Sequence, residues 1–367
     1  MLYRAIGLMS GSSLDGLDIA FVQLQSTGGK WTYEIIKAAC IPYSDEWVAR
    51  LGNATTLNAR DYLLLHSAYG HYIGKTVQSF IMDNGLQYQV QLVSSHGHTT
   101  FHMPSDKMTG QLGDGAAIAA ETGINTVTDL RAMDIALGGE GAPIVPIGEK
   151  ILLSEYDFCL NLGGIANISL NDPDQNVAFD VSPANRVLNM VINEIGKAYD
   201  EDGKLARSGK VNEALLSKLN ALEYYSKPYP KSLANDFGTD EVYPIVKAAG
   251  LSTEDALRTY VEHIAMQVQQ SAASLLPKAK NKNGDLTLLA TGGGAMNGFM
   301  IQRLQELLQP LNITVVIPDE NLIQYKEAVV MALMGVLRWR EENNVLASVT
   351  GASRNSIGGA VWIGQEA

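Results

Sequence analysis

The chain of 367 residues contains only two cysteines, Cys40 and Cys159. Both sit among apolar neighbours and neither has the spacing of a metal-binding pair, so the count fits a reducing compartment. Basic charge is also scarce: 27 Lys and Arg against 39 Asp and Glu give a formal net charge of −12. Nucleic-acid and anionic-membrane surfaces draw most of their affinity from Lys and Arg, so neither partner is expected. A small phosphate ligand stays open, because backbone N–H groups bind one without lysine. No uncharged apolar run is long enough to span a bilayer. The opening "MLYRAIGLMSG" lacks a basic start followed by a long apolar stretch, so no signal peptide is expected and the expected location is cytoplasmic. What is present is 46% apolar residues against 18% charged. That composition describes a compact globule, and the length suits two domains of ordinary size.

Residues 7–21, "GLMSGSSLDGLDIAF", hold Gly11 and Gly16 at the spacing of a P-loop. Leu17 and Asp18 stand where that loop needs Lys and Ser or Thr. "YRAIGLM" and "LDIAFVQL" read as strands around a Ser/Gly turn, which makes a hairpin and not a strand–loop–helix. Residues 57–84 read as a helix stopped by Asn84-Gly85. "VQLVSSHGHT" reads as a strand ending at His96-Gly97, "DGAAIAAETG" as a short helix, and "INTVTDL" as a strand leading into Arg131. The Gly/Pro-rich "IALGGEGAPIVP" marks a domain boundary. The second half opens alike, with "FCLNLGGIANISL" as strand, turn, strand. A tight turn at "NDPDQN" and a strand at "VAFDV" follow. Ser182 then reads as a helix N-cap with Pro183 at the first helical position. "YYSKPYPKSLANDFGTDEVYP" reads as a surface loop. The clearest helix begins at Ser252, with Asp255 completing a capping box. "LTLLATGGGAMNGFMIQRLQELL" is strand, glycine turn, helix; "NITVVIPD" is a strand; "QYKEAVVMALMGVLRW" is a buried helix. Two halves opening on the same strand pair suggest a duplicated α/β module with a cleft between copies.

Several stretches carry chemistry. The first hairpin offers backbone amides and the hydroxyls of Ser10, Ser12 and Ser13 to an anion. Asp15 and Asp18 would repel a phosphate unless a cation or a sugar hydroxyl lies beside them, and Mg²⁺ suits such oxygen ligands. An ordinary hairpin turn uses the same residues. The second hairpin, with Asn161, Gly163, Gly164 and Asn167, has the same two readings. Gly292, Gly293 and Gly294 let another molecule lie on the backbone. Asn297 replaces the third glycine of a dinucleotide fingerprint, while Asp319 stands about where a ribose-binding acid belongs. Asp180, at a strand end, suits a general base or a second helix cap. Glu327 opens an apolar helix, where a dipole-stabilised carboxylate is the plain alternative. Arg131 suits a carboxylate clamp or a pair with Asp134. His96 and His98 share a strand face without a third metal ligand. No nucleophile elbow is present, so acyl transfer has no foothold.

The order and spacing of "GLMSGSSLDGLD", "SHGHT", "QLGDGAAIA", "TDLRAMDIALGGEGAPIVP", "NLGGIANIS", "FDVSPAN", "KPYPKS", "TGGGAMN", "KEAVVMALMG" and "TGASRNSIGGAVW" carry a resemblance over nearly the whole chain. The chain resembles the anhydro-N-acetylmuramic acid kinases of the acetate and sugar kinase, Hsp70 and actin superfamily. The resemblance implies an α/β fold of two related actin-like (ribonuclease H-like) domains with a nucleotide cleft between them. Their expected bounds are 1–135, completed by 345–367, and 136–344. It implies ATP and Mg²⁺, with ATP on Gly11, Ser12, Ser13, Leu14, Asp15, Gly16, Leu17 and Asp18, on Gly163, Gly164 and Asn167, and on Gly292, Gly293, Gly294 and Asn297. Asp180 and Glu327 would be catalytic, and Asp15, His96 and Arg131 would meet the substrate. Water would open the 1,6-anhydro ring while the γ-phosphoryl group goes to O6, giving N-acetylmuramic acid 6-phosphate and ADP in cell-wall recycling. A homodimer is implied too. The Mg²⁺ ligands are not implied. Ser12 for Thr, "DVSPAN" for a more glycine-rich run at Ser182, "LRAMD" for an arginine-rich run at Ala132, and "KSLAND" without Gly-Arg depart from the family pattern. These losses leave room for a neutral anhydrosugar such as levoglucosan. An NAD-dependent oxidoreductase and an actin-like nucleotide-binding module without sugar chemistry are the rival classes.

Overall fold

Apolar residues from Ala5 to Leu24 build two adjacent strands. β1 (Leu2–Ser10) and β2 (Gly16–Thr27) pair antiparallel, and β3 (Lys30–Pro42) continues the meander. The computed structural model describes residues 1–11, 13–172, 177–229, 231–234, 236–279 and 284–364. β4 (Leu92–Met103) lies parallel to β1 on the side away from β2, and β6 (Thr126–Thr128) lies parallel beyond β4. β5 (Met108–Leu112) folds back on the far end of β4, and a last strand, Ala360–Trp362, closes the β6 edge. That pairing with β5 is why β4 continues past His96-Gly97, where the apolar pattern stops.

The second sheet repeats the scheme. β7 (Phe158–Leu162), β8 (Ile165–Leu170) and β9 (Val177–Pro183) form an antiparallel meander; β10 (Leu286–Thr291) lies parallel to β7, and β11 (Ile313–Val316) parallel to β10. Apart from β5 and the last strand, the first sheet runs β6-β4-β1-β2-β3, and the second runs β11-β10-β7-β8-β9. Each is a three-stranded meander extended by two parallel strands on the side of its first strand. The fold is therefore α/β, built of the two related modules expected.

Each module has its own core. In the first, the helix Ala59–Asp83 is capped by Asn58, whose side chain accepts the Asp61 N–H. It sends Leu65, Tyr69, Ile73, Val77 and Phe80 onto Ile6, Leu8, Ile19 and Phe21. In the second, the helix Thr253–Leu275 is capped by Ser252, which accepts the Asp255 N–H. Leu257, Tyr260, Val261, Ile264 and Val268 from this helix join Phe158, Leu160 and Ile168 of the sheet. Full burial of each such side chain contributes about 1.5–3 kcal/mol.

Three expectations are corrected. The chain divides into compact units 1–153 with 325–367, and 154–324, so residues 136–153 and 325–344 pack with the first unit. The reason is local: a Cβ on Gly148 would meet Val330, and buried Lys326 pairs with buried Glu149 at 2.8 Å. Ser182 is not a helix cap. It lies in β9 and donates to the Pro183 carbonyl, while the helix Asn185–Asn193 is entered with the Ala184 and Asn185 N–H groups bound to the carbonyls of Gly164 and Gly163. The stretch 224–244 is not simply a surface loop: it holds short helical turns at Glu223–Ser226 and Phe237–Val242 and buries Tyr224 and Val242. The expected turn 171–176 lies largely outside the described residues.

Candidate active site

In the first unit, the site residues are arranged by one close contact. A Cβ on Gly7 in β1 would sit 1.8 Å from the Ala328 carbonyl oxygen. Strand and helix Glu320–Trp339 therefore touch backbone to backbone, which brings Glu327 next to the first hairpin. The turn itself is held internally. Ser13 Oγ donates to Asp15 Oδ1 at 2.6 Å, the Gly16 N–H donates to the same oxygen, and Leu14 takes a φ of 57°. Gly16 is required by packing, since a Cβ would meet the Ile41 carbonyl and Cys40 Sγ at 2.6 and 2.7 Å. Leu17 is core. Gly11 has room beside it, with Ser13 Oγ the nearest atom to an added Cβ at 3.3 Å. Ser12 lies outside the described residues.

Asp18 lies opposite Cys40 in the β2–β3 pair. Burial pushes its carboxyl up to about 6; a hydrogen bond from the Cys40 thiol lowers it, and the charges of Asp15 and Glu327 raise it further. The thiol in turn is pushed up to about 12, first by burial and then by Asp18. Glu327 is raised by burial, against the pull of Lys326 and Arg131. Arg131 follows β6; burial lowers it to about 10, while Glu327 and Asp134 hold it up. It is not paired to Asp134 by a hydrogen bond among the described residues. Asp134 instead accepts the Gly141 N–H at 2.8 Å and the Thr350 hydroxyl at 2.7 Å. Arg131 donates Nε to His96 Nε2 at 2.9 Å and Nη1 to the Gly141 carbonyl.

In the second unit, Asn161, Asn167 and Asp180 form one cross-strand row through β7, β8 and β9. The register slips by one residue at Asn167, so β9 bulges beside Asp180; bulges re-aim side chains in this way. Among the described residues Asp180 caps no helix. Its Oδ2 accepts the Leu233 N–H at 2.9 Å, its N–H reaches the Lys231 carbonyl, and its own carbonyl accepts the Tyr224 hydroxyl at 2.6 Å. Burial raises the carboxyl and the Leu233 N–H lowers it, leaving it above the usual range. Among the described residues Oδ1 has no partner. Leu233 and Tyr224 are contributors that the surface-loop reading missed; the quoted "KPYPKS" motif beside them was the available signal.

The glycine run folds onto the second hairpin. Gly292 has a φ of 80°, and a Cβ there would stand 2.6 Å from Asn161 Oδ1. A Cβ on Gly294 would meet Leu162 at 2.8 Å. Gly293 is open, with Asn185 Nδ2 the nearest atom at 3.7 Å. The Gly163 and Gly164 carbonyls are turned to the following helix, and Gly164 itself is exposed. Asn297 caps the helix Gly298–Leu308 through the Met300 N–H. The rival dinucleotide reading loses its acid: Asp319 Oδ1 accepts the Leu322 N–H as a helix cap.

Comparison with known proteins agrees over the full length. A family model described as anhydro-N-acetylmuramic acid kinase matches residues 3–364. The anhydro-N-acetylmuramic acid kinase of Vibrio parahaemolyticus is 34% identical, with 97% of each chain covered. That of Gloeobacter violaceus is 33% identical over 95% of this chain and 96% of its own. That of Coxiella burnetii is 33% identical over 99% and 98%. Among solved structures, the activator of the 2-hydroxyisocaproyl-CoA dehydratase from Clostridium difficile is similar with a TM-score of 0.45 and 14% identity, over 92% of this chain and 96% of that one. On the match of motifs, family model and relatives, the chain belongs to the anhydro-N-acetylmuramic acid kinase family.

Proposed function

We propose that the protein is a carbohydrate kinase that opens the 1,6-anhydro ring of anhydro-N-acetylmuramic acid with water and phosphorylates O6 with ATP. The products are N-acetylmuramic acid 6-phosphate and ADP, in cell-wall recycling. The observation that supports it most is Asp180: a carboxylate raised by burial, with Oδ2 tied to the Leu233 N–H and Oδ1 open. Such a group accepts a proton from water near neutral pH. As water attacks C1, its proton passes to Asp180 and the C1–O6 bond breaks. O6 gains the electron pair, attacks the γ-phosphorus, and the bond from that phosphorus to the β-phosphate oxygen breaks. Phosphoryl transfer then needs mainly positioning and charge stabilisation.

The remaining roles follow from charge. Glu327 orients water and sugar. Arg131, with N–H donors left over after His96 and Gly141, holds the lactyl carboxylate. Asp15 keeps one carboxylate oxygen for a sugar hydroxyl, since Oδ1 is spent within the turn. The stretches 11–18, 163–167 and 292–297 serve ATP, through those of their backbone amides that are not already bonded within the turns and strands. Asp18 suits Mg²⁺ chemically: it is an oxygen donor whose burial is costly, and among the described residues it has no cationic partner. When bound, Mg²⁺ supplies charge neutralisation on the transferring phosphate. We place the protein in the cytoplasm as a homodimer; among the described residues no helix is long and apolar enough to cross a membrane.

The test is ADP release with anhydro-N-acetylmuramic acid, on the unmodified protein and on Asp180→Asn. Sugar-dependent turnover is expected, with a loss of about a hundredfold or more in the variant. ADP release that ignores the sugar and survives the substitution would overturn the proposal.

A further inference from the structure

His96 lies on β4 between two groups of fixed polarity. Its Nδ1 is 2.9 Å from the Gly97 carbonyl oxygen, and its Nε2 is 2.9 Å from Arg131 Nε. A carbonyl only accepts and a guanidinium only donates. The ring must therefore carry its proton on Nδ1 and accept on Nε2. A second proton on Nε2 would face the Arg131 cation. Burial first, and Arg131 next, push the imidazole down to about 3, so the ring stays neutral at working pH. Both nitrogens are thus spent, and His96 has none left for a sugar. The expectation that it contacts substrate directly gives way to a different role.

Arg131 shows what that role is. Its Nε goes to His96 and one Nη1 proton to the Gly141 carbonyl. The Gly141 carbonyl is itself fixed, because the same residue's N–H is held by buried Asp134, which Thr350 also holds. Two acceptors from different elements thereby fix the rotation of the guanidinium plane. Both Nη2 protons and the second Nη1 proton have no partner among the described residues. A planar carboxylate is the ligand that a fixed, half-satisfied guanidinium recognises best.

We propose that His96 is a positioning residue, a neutral acceptor that fixes Arg131 so that its remaining donors select anhydrosugars bearing a carboxylate. This rests on the function proposed above. It deepens that reading by assigning substrate selection to a pair, His96 and Arg131, instead of to Arg131 alone.

The experiment compares anhydro-N-acetylmuramic acid with the same sugar carrying its lactyl acid as the primary amide. The unmodified protein, His96→Phe and His96→Gln are assayed. The unmodified protein should prefer the acid. His96→Phe keeps the ring shape without an acceptor; it should raise KM for the acid by about tenfold or more, the scale of a hydrogen bond to a charged group. KM for ATP and the kinetics with the amide should change little. His96→Gln, which restores an acceptor, should recover most of the preference. If His96→Phe weakens acid and amide equally, the residue is merely structural and the proposal fails. If it weakens neither, the proposal fails as well. If the unmodified protein turns over neither sugar, the reading of the function fails first. A measurement independent of turnover is ¹⁵N NMR of the His96 ring. The neutral Nδ1–H tautomer should persist from about pH 5 to 8, and an Nε2–H tautomer or a titration in that range would overturn the proposal.

Discussion

Asp18 is a carboxylate that folding makes costly. Burial raises its pKa to about 6, above the unfolded value near 3.9. The folded state therefore holds this proton more tightly than the unfolded chain does. Its contribution to stability is fully present below about pH 4 and is lost as pH rises through about 6. Asp18→Asn removes the penalty, so it should raise Tm at about pH 8 by roughly 2–4 °C for each kcal/mol gained, with no advantage at about pH 4. Thermal unfolding across that range checks the sign, and a variant less stable at about pH 8 would contradict it. At this scale the sequence was informative about identity and silent about partners. It offered Asp18, Asp180 and Arg131 as charged groups in motifs. It did not offer the Cys40 thiol, the Leu233 N–H or the Gly141 carbonyl, because each lies many residues away and arrives through pairing or chain reversal.

Among the elements, the helices were the most legible. Ser252 and Asn58 cap the helices they precede, and the apolar spacing from Leu257 to Leu275 is the face that packs on the second sheet. Strand ends were less so, as β3 and the far half of β4 show. In β3, exposed and half-buried residues alternate with little apolar signal, and its partner β2 decides its existence. The glycines show the same division. Gly7 looks unremarkable in "RAIGLM", yet it admits the backbone of the helix carrying Glu327. Gly7→Ala would force strand and helix apart, at a cost of about 1–3 kcal/mol or more from overpacking. A fall in Tm together with lost turnover is the expected outcome; a variant with both unchanged would refute the contact. Gly292→Ala should also destabilise, because its φ of 80° strains any other residue and Asn161 Oδ1 occupies the space. Denaturant unfolding would measure it.

For the whole molecule, two sheets of matching strand order with separate cores make two units. A protein of two such units should depart from a single two-state transition, so the van't Hoff enthalpy from calorimetry should fall below the calorimetric enthalpy. Equal values would contradict this. The sequence alone determined the α/β class, the duplication and the two Ser/Gly/Asn-rich hairpins. These depend on local signals: apolar period, caps and turn residues repeated in each half. Only the tertiary structure decided that residues 136–153 and 325–344 belong with the first unit, that Tyr224 and Leu233 brace Asp180, and that His96 accepts a hydrogen bond from Arg131. Those outcomes depend on which distant backbone groups and side chains meet once strands have paired, and no short window of residues contains both members of such a contact.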